Sequence, residues 1–422
     1  MFKIKYLIIL MTVPAFVLGL SFYKSKIHSD LYTYHYPLNL KLEEKNSNEF
    51  EVTKDFYEKR IKRDPTSYSD QAIFAQIYLT EAKLTGRTDY FDQAEKLAII
   101  SHKEMKLGNT AALKVLADVA QAQHQFKKAI DLATLMFKEK PKHPDAIIIM
   151  FNSYLALGEI IKANEYADKL VQLIPSENTF TLRGIVLSAQ GKFDESKKDF
   201  DHAFTLEEDD ITQAVWTRAI FARTLIENEK YDLANFILKE SLAINPNAAL
   251  NLFLMGELDL KLNKPKEAAK YFKQSFSQSK QLIYLYGEAR AYKQMGKLKL
   301  AQQMSSQIEK ILRDNLKKDI ATAHLNELIR ILLDRGSYND INEALDLAKK
   351  ESLSRENVET LLLLAKAYEQ SGNLIEAQKI INKMLSKKMK TKEMEIISNR
   401  IVEELKNPHI IVRTTYSQSP SK

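Results

Sequence analysis

Cysteine is absent from all 422 residues. That absence removes disulfides, a thiol nucleophile, thiolate metal sites and a lipidated N-terminal cysteine together. It suits an oxidising compartment without requiring one. Glycine and proline are few, at 11 and 10, and most of them fall at regularly spaced turns. Eight histidines occur, and no two sit three or four apart, the spacing at which a helix face could hold a metal. There is no Gly-x-Ser-x-Gly elbow and no phosphate loop: Gly191-Lys192 lacks the spaced glycine and the following hydroxyl residue. Catalytic residues, metal ligands and cofactors are therefore expected to be none, and an enzyme is not the expectation. The acidic run Glu207–Asp210 reads as a solvated joint that also favours the start of the next helix.

Excess charge of one sign is also small. Sixty-two basic and 55 acidic residues leave +7, with much of the lysine excess near helix ends, as at Lys138, Lys140 and Lys142 or Lys387, Lys388, Lys390 and Lys392. Cations there complement the helix dipole. The alternatives are contact with acidic head groups or with an anionic polysaccharide. No basic stripe is interleaved with aromatics, so nucleic acid is not an expected partner.

Only one long apolar run exists. After two lysines, Tyr6 to Tyr23 is uncharged. Its 18 residues reach roughly 27 Å as a helix, just short of a hydrocarbon core. It reads as an uncleaved anchor, with Lys24 and Lys26 following, or as a signal peptide with Gly19-Leu20-Ser21 as a small-x-small cleavage site. Either reading puts the remainder outside the cytoplasm, at the periplasmic face of a bacterial inner membrane or released from it. Between this run and the main body, Leu31–Leu42 (LYTYHYPLNLKL) alternates apolar and polar residues with period two. It is expected either as an extended lead-in lying on the first helices or the membrane interface, or as an edge strand added to a partner.

What fills the chain is a repeat. A small residue recurs at Ala94, Ala129, Ala163, Ser196, Ala234, Ala268, Ala301, Ala344 and Ala377, with spacings of 35, 34, 33, 38, 34, 33, 43 and 33. A turn glycine stands five before it at Gly158, Gly191, Gly296 and Gly372, and a proline twelve after it at Pro141, Pro175 and Pro246. Glycine accepts the left-handed conformation that ends one helix; proline stops the next. Small residues such as Gly184, Ala222 and Gly256 let paired helices approach closely. A period near 34 carrying small, alanine and proline positions resembles the tetratricopeptide repeats (TPR) over about Asp55 to Met389. The resemblance implies an all-α, right-handed α-solenoid of about nine helix-turn-helix repeats. The expected division is 1–23 membrane anchor or signal peptide, 24–47 linker, 48–406 solenoid with terminal capping helices, and 407–422 tail. The joints at Glu207–Thr212 and around Ala344 depart from the regular length.

The resemblance also implies a concave groove lined by the first helix of each pair. Positions two, five, nine and twelve of each unit place Asn152, Trp216, Arg223, Phe253, Glu257, Tyr286, Arg290 and Lys293 there. Aromatic and guanidinium side chains dominate many interfaces, so this strip is the expected partner-binding groove, although helix-seam packing is an alternative for each aromatic taken singly. The family's carboxylate clamp is not present: Ile148 replaces the lysine that would accompany Asn152, and Asp118 the asparagine that would accompany Lys114. The expected function is a membrane-tethered scaffold for protein or peptide partners in envelope assembly or secretion. The alternative is a component of a polysaccharide export system that contacts the polymer through the basic surface. No small-molecule substrate is expected.

Overall fold

The computed structural model describes residues 30–35, 49–85, 87–317 and 325–406. The N-terminal segment Met1–Tyr23 expected as an anchor or signal peptide, most of the period-two lead-in and the tail 407–422 lie outside these. Among the described residues there is no strand, and no helix is long and apolar enough to cross a membrane.

A leading helix, α1 (Glu49–Arg63), precedes a series of antiparallel pairs. These are α2 (Tyr68–Thr85) with α3 (Thr88–Glu104), α4 (Thr110–Ala122) with α5 (Phe126–Glu139), and α6 (Pro144–Ala156) with α7 (Ile160–Leu173). Next come α8 (Glu177–Ala189) with α9 (Phe193–Thr205), α10 (Ile211–Glu227) with α11 (Tyr231–Ile244), and α12 (Ala249–Lys261) with α13 (Pro265–Gln278). The last pairs are α14 (Leu282–Gln294) with α15 (Leu298–Lys317), α16 (Leu325–Arg335) with α17 (Tyr338–Ser354), and α18 (Val358–Gln370) with α19 (Leu374–Ser386). Helix α20 (Lys392–Lys406) closes the order.

The periodic small residues are where the pairs touch. Eight of the nine have no exposed surface, and Ala301 has 6%. The small residues of the first helices meet their partners as closely: a Cβ on Gly256 would stand 2.7 Å from the Phe272 ring, and one on Gly184 2.9 Å from Phe200. Five residues before the marker the backbone is left-handed in unit after unit, whether or not glycine is there. Gly158, Gly191, Gly296 and Gly372 adopt φ of 73–78°, while His124, Glu229 and Asn263 adopt 58–60°. The next residue's N–H reaches back to a carbonyl near the end of the first helix, as from Glu159 to Tyr154 O at 2.8 Å and from Lys264 to Asp259 O at 2.7 Å. The turn therefore satisfies helix-end carbonyls that would otherwise be orphaned.

First helices of successive pairs pack on one another as well as on their own second helices, which makes them the inner layer of a curved stack. The curve closes on itself. One hydrophobic cluster contains Ile147 and Phe151 of α6, Leu182 and Val186 of α8, Leu361 and Leu362 of α18, and Met394, Ile397 and Ile401 of α20. Around it, Lys390 N donates to Ala189 O at 2.9 Å. Lys387 Nζ pairs with Glu159 at 3.1 Å and with Glu356 at 3.2 Å. Helix α20 covers α18 and α19, as an end cap should, but it also belongs to the cluster that joins the last unit to the third and fourth.

The lead-in departs from expectation. Asp30–Tyr32 is helical, Tyr34 and His35 are irregular, and the segment lies against α9, α10 and α11 in the middle of the stack rather than on the first helices.

Candidate functional site

The inner face from α6 to α14 is the candidate site, and ring closure divides it into an apolar arc on α6, α8 and the start of α10 and a charged arc from α10 to α14. In the apolar arc, Ile148, Leu155, Ile185 and Trp216 pack against the cluster shared with α18 and α20. Those groove positions are partly buried against a cluster to which the chain's own C-terminal helices contribute. Asn152 sits half-buried on α6 beside this arc.

In the charged arc, Arg290 Nη1 donates to Glu257 Oε1 at 2.7 Å, linking α14 to α12. Lys293 Nζ donates to the Asp334 carbonyl at 2.8 Å, and the Tyr286 hydroxyl donates to the Asp334 carboxylate, linking α14 to α16. Tyr286 is only 4% exposed and packs in the α14–α16 seam. Burial and the adjacent Asp334 charge raise its pKa, so it stays a neutral donor. Phe253 packs between Phe272 and Tyr284, with ring centroids 5.6 and 5.0 Å away. Thus Glu257, Arg290, Tyr286 and Lys293 join one network, Phe253 supports it, Trp216 and Asn152 lie on the apolar arc, and Arg223 projects exposed from α10.

Further ion pairs extend the charged arc: Glu359, Lys366 and Glu369 stand at groove positions two, nine and twelve of the last unit, whereas their partners Glu393 and Arg400 lie on the closing helix and escape a reading by groove position. Arg330 Nη2 donates to Glu359 at 2.8 Å, Lys366 pairs with Glu393 of α20, and Arg400 donates two hydrogen bonds to Glu369, both 2.8 Å. Glu227 and Glu393 face each other from α10 and α20 closely enough to interact. Crowding by the surrounding walls holds the exposed Glu227 carboxyl above its ordinary range, with Arg223 pulling it down and Glu393 pushing it up. The same crowding acts on Glu393, but Lys366, Arg330 and Lys261 prevail and keep it below its ordinary range. Among the described residues no group of three or more histidines and acids is placed to hold a metal ion.

Beside this arc, burial pushes the Glu327 carboxyl up to about 7; Glu359 pushes the same way, while Arg330 and Arg355 oppose. One of its oxygens is buried without a hydrogen bond. A folded pKa above the unfolded 4.5 means the folded state holds the extra proton. Stability is then lost as pH rises from about 4.5 to 7 and is level beyond. Glu327→Gln is expected to raise unfolding free energy by roughly 1–3 kcal/mol at pH 8 and to leave it nearly unchanged at pH 4.5, read by urea titration at both values.

No family model and no curated protein matches this chain. Among solved structures, a tetratricopeptide repeat protein from Parabacteroides merdae ATCC 43184 is similar at 17% identity and TM-score 0.47, over 60% of this chain and 97% of that one. The APC/C hetero-tetramer Cut9–Hcn1 is similar at 14% identity and TM-score 0.49, over 80% of this chain and 60% of the other. The human IFIT1 dimer with PPP-AAAA is similar at 14% identity and TM-score 0.44, over 85% of this chain and 99% of that one. The helix order of the chain is itself that of an all-helical repeat solenoid.

Proposed function

We propose that the chain is a non-catalytic protein-interaction scaffold whose inner face between α10 and α14 takes a charged segment of a partner protein. The observation that carries this is the pattern on that face. Exposed Arg223 and Glu227 on α10 share the inner layer with the Glu257–Arg290 pair of α12 and α14, whereas the apolar groove positions on α6 and α8 are partly buried against the cluster to which α18 and α20 contribute. A partner there would exchange ion pairs rather than fill an apolar trough. Such contacts give specificity and orientation more than raw affinity.

The tether belongs to the same reading. Met1–Tyr23 holds the scaffold at the outer face of a bacterial inner membrane, or directs its release there, so the partners belong to envelope assembly or secretion. The polymer-binding alternative receives no support from the basic run near the C-terminus. Lys383 and Lys387 are paired with Glu356 and Glu159, and Lys390 and Lys392 with Glu395.

The test places a photo-crosslinking residue in the full chain at Arg223 or Lys293 on the inner face, and at Lys198 or Lys239 on the outer helices. Discrete adducts from the inner positions alone are expected, weakened by raised salt. Equal adducts from both faces, or none from either, would overturn the assignment. Placement is tested separately by protease treatment of cells whose outer barrier is opened and inner membrane intact; complete protection of the repeats would put them in the cytoplasm.

A further inference from the structure

We infer that the slot between α9, α10 and α11 is a recognition site for a tyrosine-bearing peptide segment, held here by the chain's own Leu31–Tyr34. This site is distinct from the inner face and does not depend on the function proposed for it.

The slot selects on three chemical features at once. Its floor is aromatic: Tyr32 is fully buried, with its ring 5.1 Å from that of Phe204 in an edge arrangement and 5.7 Å from that of Phe221. Its end is polar, because the Tyr32 hydroxyl donates to Asp201 Oδ1 at 2.6 Å and accepts from Lys197 Nζ at 3.0 Å. Its rim reads the backbone: Arg218 Nη2 donates to the Tyr32 carbonyl at 2.9 Å, and Tyr34 N donates to Glu240 Oε1 at 3.2 Å. Tyr34 then packs its own ring on the patch of Ile211, Val215 and Ile244. Every wall comes from residues at least 165 positions further along the chain, so the segment meets the slot as a docked ligand does.

The solenoid shapes the slot where its period is broken. The spacing from Ser196 to Ala234 is 38 rather than 34, and the extra joint carries Glu207, which holds Arg218 by hydrogen bonds of 2.5 and 3.0 Å. Arg218 has no exposed surface. A guanidinium kept this dry is costly wherever an N–H goes unanswered; its Nε has no hydrogen-bond partner, and the carbonyl of an incoming segment answers one of the Nη2 hydrogens. The ligand class is therefore an aromatic-x-aromatic segment with tyrosine first. Loss of the phenol oxygen takes one hydrogen-bond partner from each member of the half-buried Lys197–Asp201 ion pair, whose Nζ–Oδ2 distance is 2.7 Å, and that loss discriminates against phenylalanine. Covalent attachment gives Leu31–Tyr34 a high effective concentration, so it excludes a free competitor until it is weakened.

The probe is a fluorescent peptide with the sequence of Ser29–Pro37, SDLYTYHYP, titrated by anisotropy into the full chain. Tyr32→Ala/Tyr34→Ala is expected to bind it saturably and at least tenfold more tightly than the unsubstituted chain, whose slot is filled. A peptide with phenylalanine at the first aromatic position should bind that variant about tenfold more weakly, and adding Asp201→Asn to the chain should erase most of that difference. Tyr32→Phe keeps the ring in the slot, safeguards folding, and should take up peptide to an intermediate degree. Equal affinity for unsubstituted and variant chains would overturn the proposal. So would absence of binding to either variant with helicity and melting intact. A concentration-dependent dimer of the unsubstituted chain, dissociated by the peptide, would show a second copy donating the segment and overturn the assignment within one chain.

Discussion

Arg218→Met should destabilise the chain by about 3–5 kcal/mol, the usual cost of removing one partner from a buried ion pair. Arg218 is fully buried, and Glu207 is 9% exposed. The guanidinium donates to both oxygens of Glu207, to Ala214 O at 3.2 Å and to Tyr32 O. Methionine fills the volume but leaves the Glu207 carboxylate without its countercharge. It also acts on Glu177, whose carboxyl is raised to about 7 by burial first, opposed by a Thr217 hydrogen bond, pushed higher by Glu207 and held back by Arg218. Removing Arg218 takes away that restraint. Glu207→Leu in the same chain should restore most of the loss, because it removes the stranded charge along with its partner. In a stack of repeats the damage stays close to the affected layer. Hydrogen exchange should therefore quicken in α8 to α11 and leave α2 to α4 unchanged, with the total read by urea unfolding. A uniform change along the chain would contradict the layered picture.

The repeat could be read because each unit packs on the next, and nearest-neighbour packing leaves a residue at a fixed interval. The same logic carried through the turns: His124, Glu229 and Asn263 adopt the conformation that Gly158 and Gly191 adopt, so position rather than residue type defines the turn. Closure left no such mark. Glu159 and Lys387 are 228 residues apart, and whether their layers meet depends on small rotations summed over six units, which no local pattern encodes. The groove positions were legible as a list but not as an arrangement. Tyr286 stands at a groove position yet lies in a seam, because the curvature brings α14 and α16 close enough to cover its ring. The alternation of Leu31–Tyr34 was visible and its destination was not; the only hint was the irregular joint at Glu207–Thr212, where an insertion makes room for something from elsewhere in the chain.

Gly158→Val should open the ring. The residue has φ +75°, and a Cβ there would stand 2.0 Å from the Glu356 carbonyl oxygen, 2.5 Å from its carbon and 2.8 Å from Met389 Cε. A methionine end can move; a carbonyl in the facing turn moves only if that turn does. Gly372→Val is the matched control, since it has φ +78° and nothing within 4 Å of the added Cβ. Both variants carry the strain of a branched residue in the left-handed region, roughly 1–2 kcal/mol, and only the first also drives α18 to α20 away from α6 and α8. Detachment would strip Lys387 of Glu159 and uncover Ile148, Leu155, Ile185 and Trp216. Trp216 is the sole tryptophan, which makes it a built-in reporter. Gly158→Val should shift its emission to the red, increase binding of an apolar dye and enlarge the radius of gyration, while Gly372→Val lowers stability with none of these changes. If both variants behaved alike, closure would not depend on this contact and the apolar arc would be held by α20 alone. If only Gly158→Val opens, the two arcs are separable: the charged face between α10 and α14 should keep its ion pairs in the opened chain, and crosslinks formed from Arg223 should survive a change that exposes Trp216.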